Sequence, residues 1–225
     1  MRYLFILIIV VLAVCGCKKT ETTPLYASTG VLTDVDGNTY KTVVIGGKTW
    51  MSENLKTTKY SDGSAIQLVT DSKIWNSLKT AAYCWYNNDI TNKNIYGALY
   101  NWNTVETGKL CPSGWRVPND SEWLSLTILY GGQYAAGGKL KESGNTHWET
   151  PNTGATNESG FNALPGGFRV NDNRIFDGIK QTGCWWTSSG GGDYALSQYL
   201  NYDGASSNVF DGLSVNGESV RCIKD

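Results

Sequence analysis

Apolar and polar positions alternate early in the chain, in a pattern that predicts a small antiparallel β-meander. Val31-Leu32 and the segment from Tyr40 to Ile45 lie on either side of the turn dipeptide Asp36-Gly37, which predicts a hairpin. Gly46-Gly47 and the short run from Lys48 to Met51 follow directly and predict a second hairpin. We therefore expect consecutive paired strands near the beginning of the domain.

The clearest helical pattern begins at Asn119, which can cap a helix through its side-chain oxygen. Glu122 lies three residues further on and completes a variant of the capping box. Apolar residues at positions i, i+3 and i+7 then form one helical face, namely Trp123, Leu126 and Tyr130. Gly131-Gly132 follows and provides the end of the helix.

Weaker patterns occupy the middle of the chain. Residues 56–80 predict a loop with a short helical turn near Trp75, and the segment from Ala81 to Tyr86 predicts a strand. The segment from Tyr96 to Val105 predicts a short helix. Residues 137–192 are rich in glycine, asparagine, threonine and aromatic residues, so we expect a long excursion there with little regular structure.

Strand-like segments return from Tyr194 onward. The runs ALSQYLNY, SNVF and ESVRCIKD are separated by Asp203-Gly204 and Asn216-Gly217, and both of these dipeptides favour turns. The C-terminal part of the chain is therefore predicted to form strands.

The N-terminal residues predict export and lipid anchoring. A basic residue precedes an apolar block over residues 3–14, which is shorter than the ~20 residues that a spanning helix needs. The ending VCGC at residues 14–17 resembles a bacterial lipobox, whose final cysteine is acylated after cleavage. Cys17 is a better acceptor than Cys15, because cleavage before Cys17 leaves the small Gly16 at the preceding position. An ordinary signal peptide with incidental cysteines is the alternative.

This N-terminus divides the chain into three predicted parts. Residues 1–17 form a lipoprotein signal peptide with Cys17 lipidated, residues 18–29 form a polar tether, and residues 30–225 form one folded domain. We expect the protein to be held to a membrane of the bacterial cell envelope by its lipid anchor, facing the periplasm or the cell surface.

Charge and composition exclude one class of partner. The formal net charge is −1, charged residues are 17% of the chain, and the sequence contains no basic run beyond Lys18-Lys19. Nucleic-acid binding needs a positive surface, so no nucleic-acid partner is expected. The abundance of glycine, asparagine, serine and threonine fits a loop-rich domain outside the cytoplasm.

Four cysteines follow the predicted signal peptide: Cys84, Cys111, Cys184 and Cys222. An even number in an exported chain favours disulfides, and four cysteines allow three pairings. No two of them form a C-x-x-C pair, so a zinc knuckle or a thioredoxin-type redox site is not expected.

Several segments in sequence order carry a family resemblance. They are DVDGNTYKTVVIGGKTWMSENLKTTKYSDG, YCWYNND, YGALYNW, KLCPSGWRVPNDSEW and the ending VRCIKD. Together they closely resemble the Fibrobacter succinogenes major paralogous domain over about residues 31–225. This resemblance implies a domain found largely in secreted proteins and lipoproteins of Bacteroidetes and Fibrobacteres.

A deeper resemblance connects the chain to the C-type lectin-like fold, including the formylglycine-generating enzyme type. The segment GWRVPNDSEW and the ending from Glu218 to Cys222 carry it. The implied fold is α+β, with paired terminal strands, one or two flanking helices and a long irregular loop region. The resemblance also implies a disulfide between Cys111 and Cys222, which leaves Cys84 and Cys184 as a second pair.

Motifs for catalysis and for metal binding are incomplete. Asp34 to Asn38 resembles the start of a calcium loop, but Thr39 occupies the position where an EF-hand needs glycine, so the residues predict a β-turn. His147 is the only histidine, and no G-x-S-x-G motif occurs. We therefore expect no enzymatic activity, no bound metal and no cofactor.

Tryptophans are the remaining candidates for a ligand site. Trp185 and Trp186 are adjacent, and alternation along a strand would send their side chains to opposite faces, one of them exposed. Trp148 lies beside His147 in the same long loop region. We expect at least one of these indoles to line a shallow exposed cleft, although loops that cover both faces are the alternative.

The sequence thus predicts a lipid-anchored binding module without catalytic activity, whose ligand is a glycan, a peptide or a protein partner. A glycan-processing hydrolase and a structural or assembly component of the envelope are the alternatives.

Overall fold

The computed structural model describes residues 26–171 and 175–225. Its strands are β1 (Tyr26–Thr33), β2 (Thr39–Ile45), β3 (Lys48–Met51), β4 (Gln67–Leu68), β5 (Ala82–Cys84), β6 (Leu99–Tyr100), β7 (Trp115–Arg116), β8 (Gly166–Arg169), β9 (Phe176–Ile179), β10 (Thr182–Gly191), β11 (Tyr194–Asn201), β12 (Asn208–Leu213) and β13 (Ile223–Lys224). Its α-helices are α1 (Ser72–Asn76), α2 (Lys93–Tyr96), α3 (Trp102–Glu106), α4 (Asp120–Leu129) and α5 (Gln133–Leu140). The fold class is therefore α+β, as the resemblance implied.

The first sheet has the strand order β1-β2-β3-β13-β7 and contains both predicted hairpins. The turn between β1 and β2 is built by Asp34, whose carboxylate accepts hydrogen bonds of 2.9 Å from the backbone N–H groups of Asp36 and Asn38. These residues form a turn, as predicted, because the aspartate oxygen holds the backbone that reverses the chain.

The beginning of the domain differs from the predicted boundary. Strand β1 begins at Tyr26 and pairs with β2 from that residue onward. The last four residues of the segment predicted as a tether, residues 26–29, therefore belong to the first sheet. Residues 1–25, which include Cys17 and carry the predicted signal peptide and lipid anchor, lie outside the described residues.

The second sheet has the order β12-β11-β10-β8-β9, and it occupies much of the region predicted to be irregular. Strands β8, β9 and β10 lie within residues 137–192, where we expected little regular structure. The local sequence of β10, TGCWWTSSGG, is a weak strand former, but the strand lies at the centre of the sheet between β11 and β8. Pairing and packing from other parts of the chain override local propensity here.

A third sheet, with the order β4-β5-β6, is formed by strands within residues 67–100. The predicted turn near Trp75 is helix α1, and the predicted strand from Ala81 to Tyr86 contains β5. The single helix predicted from Tyr96 to Val105 is instead β6 followed by α3. Gly97, with a φ of 79°, ends the preceding helix α2, and Asn101 caps α3 by accepting a hydrogen bond from the N–H of Thr104.

Helix α4 has the predicted cap and the predicted buried face. The side chain of Asn119 accepts a hydrogen bond from the N–H of Glu122 at 3.0 Å, and the Glu122 carboxylate accepts one from the N–H of Asn119 at 3.0 Å. The guanidinium of Arg116 donates two hydrogen bonds of 2.7 Å to the same carboxylate and lowers the pKa of Glu122 to about 2. The three residues of the predicted apolar face are all buried: Trp123, Leu126 and Tyr130.

The disulfide implied for Cys111 and Cys222 is present, with the two Cα atoms 6.0 Å apart. It joins the segment after α3 to the residue that precedes β13. Strand β13 itself pairs with β3 on one side and β7 on the other. The C-terminal strand therefore lies inside the first sheet, and β1 lies at the edge of that sheet.

Candidate ligand-binding pocket

The three tryptophans predicted to form a ligand platform are all buried. Trp148 is 2% exposed, and Trp185 and Trp186 are 0% exposed. The expectation that at least one of these indoles lines an open cleft is therefore wrong. The alternative, in which both faces of the Trp185-Trp186 strand are covered, is what the structure shows.

Both indoles are covered because β10 separates two hydrophobic clusters at Trp185 and Trp186. Trp185 and Trp186 do point to opposite faces, as alternation requires. Trp185 belongs to the cluster that contains Trp123 and Phe161, and its Nε1 donates to Oδ1 of Asn54 at 2.8 Å. Trp186 belongs to the other cluster, and its Nε1 donates to the carbonyl oxygen of Tyr100 at 2.7 Å. Both indoles are satisfied within the core.

Trp148 is also buried, and its indole N–H is also hydrogen-bonded within the core. Its Nε1 donates to the carbonyl oxygen of Ala163 at 2.9 Å, and the Nζ of Lys141 lies 5.2 Å from the ring centroid. The neighbouring His147 forms a hydrogen bond of 2.9 Å with the carboxylate of Glu142. Trp148 is therefore part of the core and does not lie on an exposed surface.

The predicted second disulfide is also absent, since Cys84 and Cys184 are both free and buried. Cys84 packs in a cluster with Trp75 and Tyr86, where burial raises the pKa of its thiol to about 11. Cys184 lies in β10 and directs its thiol toward Glu218. The two cysteines stand on different strands with different neighbours, which the spacing along the sequence could not show.

The thiol of Cys184 points into a cavity of about 390 Å³ on one face of the second sheet. We call this cavity the Glu218 pocket; it is lined by Phe168, Val170, Thr182, Cys184, Tyr199, Asn201, Phe210, Asn216 and Glu218. Its volume lies within the range of about 300–1,000 Å³ that is typical of ligand sites. None of the residues predicted as ligand-binding candidates lines it.

Strand register brings the pocket residues together. Cys184 pairs with Tyr199 and Thr182 pairs with Asn201, so alternate positions of β10 and β11 face the cavity. The hydroxyl of Thr182 donates to Oδ1 of Asn201 at 2.9 Å and fixes that amide. On the opposite face the intervening Gly183 leaves room for the ring of Trp185, because a Cβ there would lie 2.2 Å from the indole.

Glu218 lies at the base of the pocket and is only 2% exposed. Its backbone is fixed by reciprocal hydrogen bonds with Tyr100, of 3.0 Å and 2.9 Å. The thiol of Cys184 donates to Oε2 of Glu218 at 3.1 Å. Burial raises the pKa of Glu218 to about 7, although the hydrogen bonds from Cys184 and Ser197 partly oppose that effect.

The same surroundings also change the pKa of the Cys184 thiol. Burial and the neighbouring carboxylate both raise the pKa of Cys184 well above its ordinary value. A reactive cysteine needs a positive environment that stabilises the thiolate. Cys184 is therefore a hydrogen-bond donor to Glu218 and a poor nucleophile.

Among the described residues that line the pocket, Glu218 is the only one that can carry charge near neutral pH. Arg169 of β8 lies between the lining residues Phe168 and Val170 in the sequence, but it does not line the cavity. Its guanidinium donates to the carbonyl oxygens of Val69 and Thr70 and stacks on the ring of Trp75 at 4.3 Å. The carboxyl group of Glu218 thus lacks a cationic partner within the described part of the chain.

Sequence reasoning placed Glu218 in a closing strand and assigned it no role. A usable signal was present, because Glu218 shares its alternation with Val220 and Cys222, which are both fully buried. A carboxylate in a row of buried apolar residues is expensive unless it has a function or a partner.

The described residues contain no group of three or more histidine, cysteine, aspartate or glutamate side chains that could hold a metal ion. Within the same residues, no helix has both the length and the apolar character needed to cross a membrane.

The fold and the pocket define an α+β domain with a buried acidic group at the base of a mostly apolar cavity. A family model described as the Fibrobacter succinogenes major domain matches residues 43–224. The chain belongs to this family. Comparisons with curated proteins and with solved structures gave no match.

Proposed function

We propose that this chain is a binding module of the bacterial cell envelope, anchored by lipid on Cys17, that acts by taking a small group of its ligand into the Glu218 pocket. The observation that carries this proposal is the pocket itself, a cavity of about 390 Å³ with apolar walls and one buried acid. A few polar groups at the base of an apolar cavity are typical of a site that orients a ligand.

The details of the pocket favour binding over catalysis. Hydrolysis of a glycoside commonly requires two carboxyl groups about 5–9.5 Å apart, and Glu218 is the only carboxyl group among the described lining residues. The adjacent thiol is a poor nucleophile because burial and Glu218 raise its pKa. These features argue against the glycan-processing hydrolase and in favour of a module that binds.

The rim of the pocket favours a peptide or protein ligand over a glycan. Strand β12 is an edge strand, and Phe210 on it lines the pocket and is 50% exposed. Sugar recognition relies on several free polar side chains, whereas the hydroxyl of Thr182 is already bonded to Asn201. An apolar rim beside an unpaired strand edge suits a partner chain that inserts one side chain.

We also propose that the domain is C-type lectin-like. Supporting observations are the disulfide between a segment near the helices and the last strand, the capped helix α4, and the C-terminal strand within the first sheet. The sheet β12-β11-β10-β8-β9, formed by residues 166–213, would then replace the long loop region of that fold.

The experiment that tests the function is a screen of the full chain, purified in detergent, on peptide and glycan arrays. Val170→Phe should fill the pocket, because Val170 is half-buried in its wall. Val35→Phe is the matched control, since Val35 is 47% exposed in the turn between β1 and β2. We expect peptide binding that Val170→Phe abolishes and Val35→Phe preserves. Binding that survives Val170→Phe unchanged would place the ligand elsewhere and overturn the proposal.

A further inference from the structure

From the aromatic walls and the unpaired acid we infer that the Glu218 pocket binds the alkylammonium group of a lysine side chain presented by a peptide or protein partner. This inference rests on the proposed function and names the chemistry that the pocket selects. It depends on three features of the described residues: the aromatic walls, the acid without a cationic partner, and the apolar lining between them.

Two of the aromatic walls come from the neighbouring strands β11 and β12. The ring centroids of Tyr199 and Phe210 lie 6.4 Å apart, and the two ring planes meet at 87°. Phe168 lines the cavity from β8, on the opposite side of β10. Faces of aromatic rings attract cations, and several rings around one cavity are a known means of binding organic ammonium groups.

The charge of the pocket is complementary to such a group. Glu218 is buried at the base, and no described cation lines the cavity. Desolvating a carboxylate without a partner is unfavourable, and an ammonium group entering the pocket would supply the missing opposite charge. A neutral side chain of the same shape would leave the acid unpaired and should bind less well.

The lining also excludes ligands that carry their own anion close to the amine. A phosphate or carboxylate would need a cation or several free donors, whereas the described lining consists mainly of apolar and aromatic side chains. The four-carbon stem of a lysine can lie against Val170 and the aromatic rings while the ammonium group reaches Glu218. The peptide-linked amine is therefore favoured over a phosphoethanolamine headgroup.

Two other titratable groups line the cavity, namely Cys184 from β10, which contacts Glu218, and Tyr199 from β11. The remaining described lining residues are neutral. The thiol is disfavoured from ionising. A lysine amine stays charged at neutral pH. Because Glu218 has a pKa of about 7, the acid is neutral below that pH and charged above it, so affinity for the amine should rise as pH increases through about 7.

The test compares two peptide analogues by calorimetry with the full chain in detergent. Nα-acetyl-lysine N-methylamide carries the ammonium group, and Nα-acetyl-norleucine N-methylamide carries the same stem without it. At pH 8 we expect the lysine analogue to bind about tenfold more tightly or better, with a smaller difference at pH 5.5. Phosphoethanolamine should bind more weakly than the lysine analogue.

Two pairs of variants identify the groups responsible. Glu218→Gln keeps the size of the side chain and should remove the preference for lysine, whereas Glu106→Gln changes an exposed glutamate outside the pocket and should preserve it. Phe210→Leu should weaken lysine binding, whereas Tyr194→Leu changes a 55% exposed ring outside the pocket and should not.

The outcomes separate this inference from the proposed function. If both analogues bind equally and Val170→Phe abolishes both, the pocket is a ligand site but its selection of an ammonium group is wrong. If neither analogue binds at millimolar concentration, or if Glu218→Gln leaves lysine affinity unchanged, the inference is overturned. Peptide binding on the arrays that ignores Val170→Phe overturns the proposed function as well.

Discussion

The buried cations of this domain and the buried acid Glu218 differ in their hydrogen-bond partners. The cations are tied to backbone carbonyl oxygens: Lys141 donates to Asn201 and Gly204 at 2.9 Å, and Arg221 donates to Phe161 and Asn162. Burial lowers the pKa of Lys141 to about 8 and that of Arg221 to about 9. These cations are fixed parts of the core, whereas Glu218 accepts only uncharged donors among the described residues. This contrast singles out the acid as a group that a ligand could complete.

Glu218 should make the stability of the protein depend on pH in a specific direction. Its pKa is raised from 4.5 to about 7 in the folded state, so its contribution is fully present below pH 4.5 and is lost as pH rises through about 7. Glu218→Gln should therefore be roughly 3 kcal/mol more stable relative to the wild type at pH 8 than at pH 4.

Urea denaturation at both pH values measures this difference. The matched variant Glu106→Gln changes an exposed carboxyl group and should leave the pH profile unaltered. A Glu218→Gln profile that runs parallel to that of the wild type would show that the acid is not perturbed by the fold.

At the scale of elements, helix α5 packs closely against the backbone of two loops. Its sequence QYAAGGKL contains Gly137 and Gly138, which are unfavourable inside a helix by about 1 kcal/mol each. A Cβ on Gly137 would lie 2.1 Å from the carbonyl oxygen of Ser206, and a Cβ on Gly138 would lie 2.4 Å from that of Gly154. The glycines let the helix contact two loops backbone to backbone, and the N–H of Gly138 donates to Ala205 at 3.1 Å.

Gly137→Ala should destabilise the domain although alanine is the better helix former. The expected loss is about 2 kcal/mol or more in the free energy of unfolding. The added Cβ would overlap with backbone atoms of Ser206, which cannot move away as a flexible side chain can. Gly204→Ala is the control, since the nearest atom to an added Cβ is 3.9 Å away, and it should change stability by less than about 0.5 kcal/mol. Equal thermal midpoints for the two variants would contradict this account of α5.

For the whole molecule, the start of β1 limits how far the domain can lie from a lipid on Cys17. Residues 18–25, eight in number, separate that cysteine from Tyr26. The nine Cα–Cα steps from Cys17 to Tyr26 span at most about 32 Å when fully extended. A lipid anchor on Cys17 would therefore hold the domain close to the membrane surface.

Lipidation itself is tested by changing the two N-terminal cysteines separately. Cys17→Ser should give a protein that is unprocessed or no longer partitions into detergent as a lipoprotein, because the acceptor thiol is lost. Cys15→Ser should be processed and should partition like the wild type. Labelling with a radioactive fatty acid and detergent phase separation measure both properties. A processed, labelled Cys17→Ser protein would show that the lipid is attached elsewhere.

What the sequence determined by itself is local. The Asp36-Gly37 and Gly46-Gly47 turns, the cap at Asn119 and the buried face of α4 were all predictable, because each depends on residues within a few positions of one another. The family followed from several motifs in a fixed order, and the disulfide between Cys111 and Cys222 was implied by the resemblance to the C-type lectin-like fold.

Only the tertiary structure decided which surfaces are covered and which groups meet. Alternation correctly placed Trp185 and Trp186 on opposite faces, but it could not show that a cluster packs against each face of β10. The free state of Cys184 and its contact with Glu218, 34 residues away, likewise depend on the bridge that β10 forms through Trp185 with Ser219. Local pattern sets the direction of a side chain, whereas burial, pKa and the composition of a pocket are set by residues that the fold brings from elsewhere in the chain.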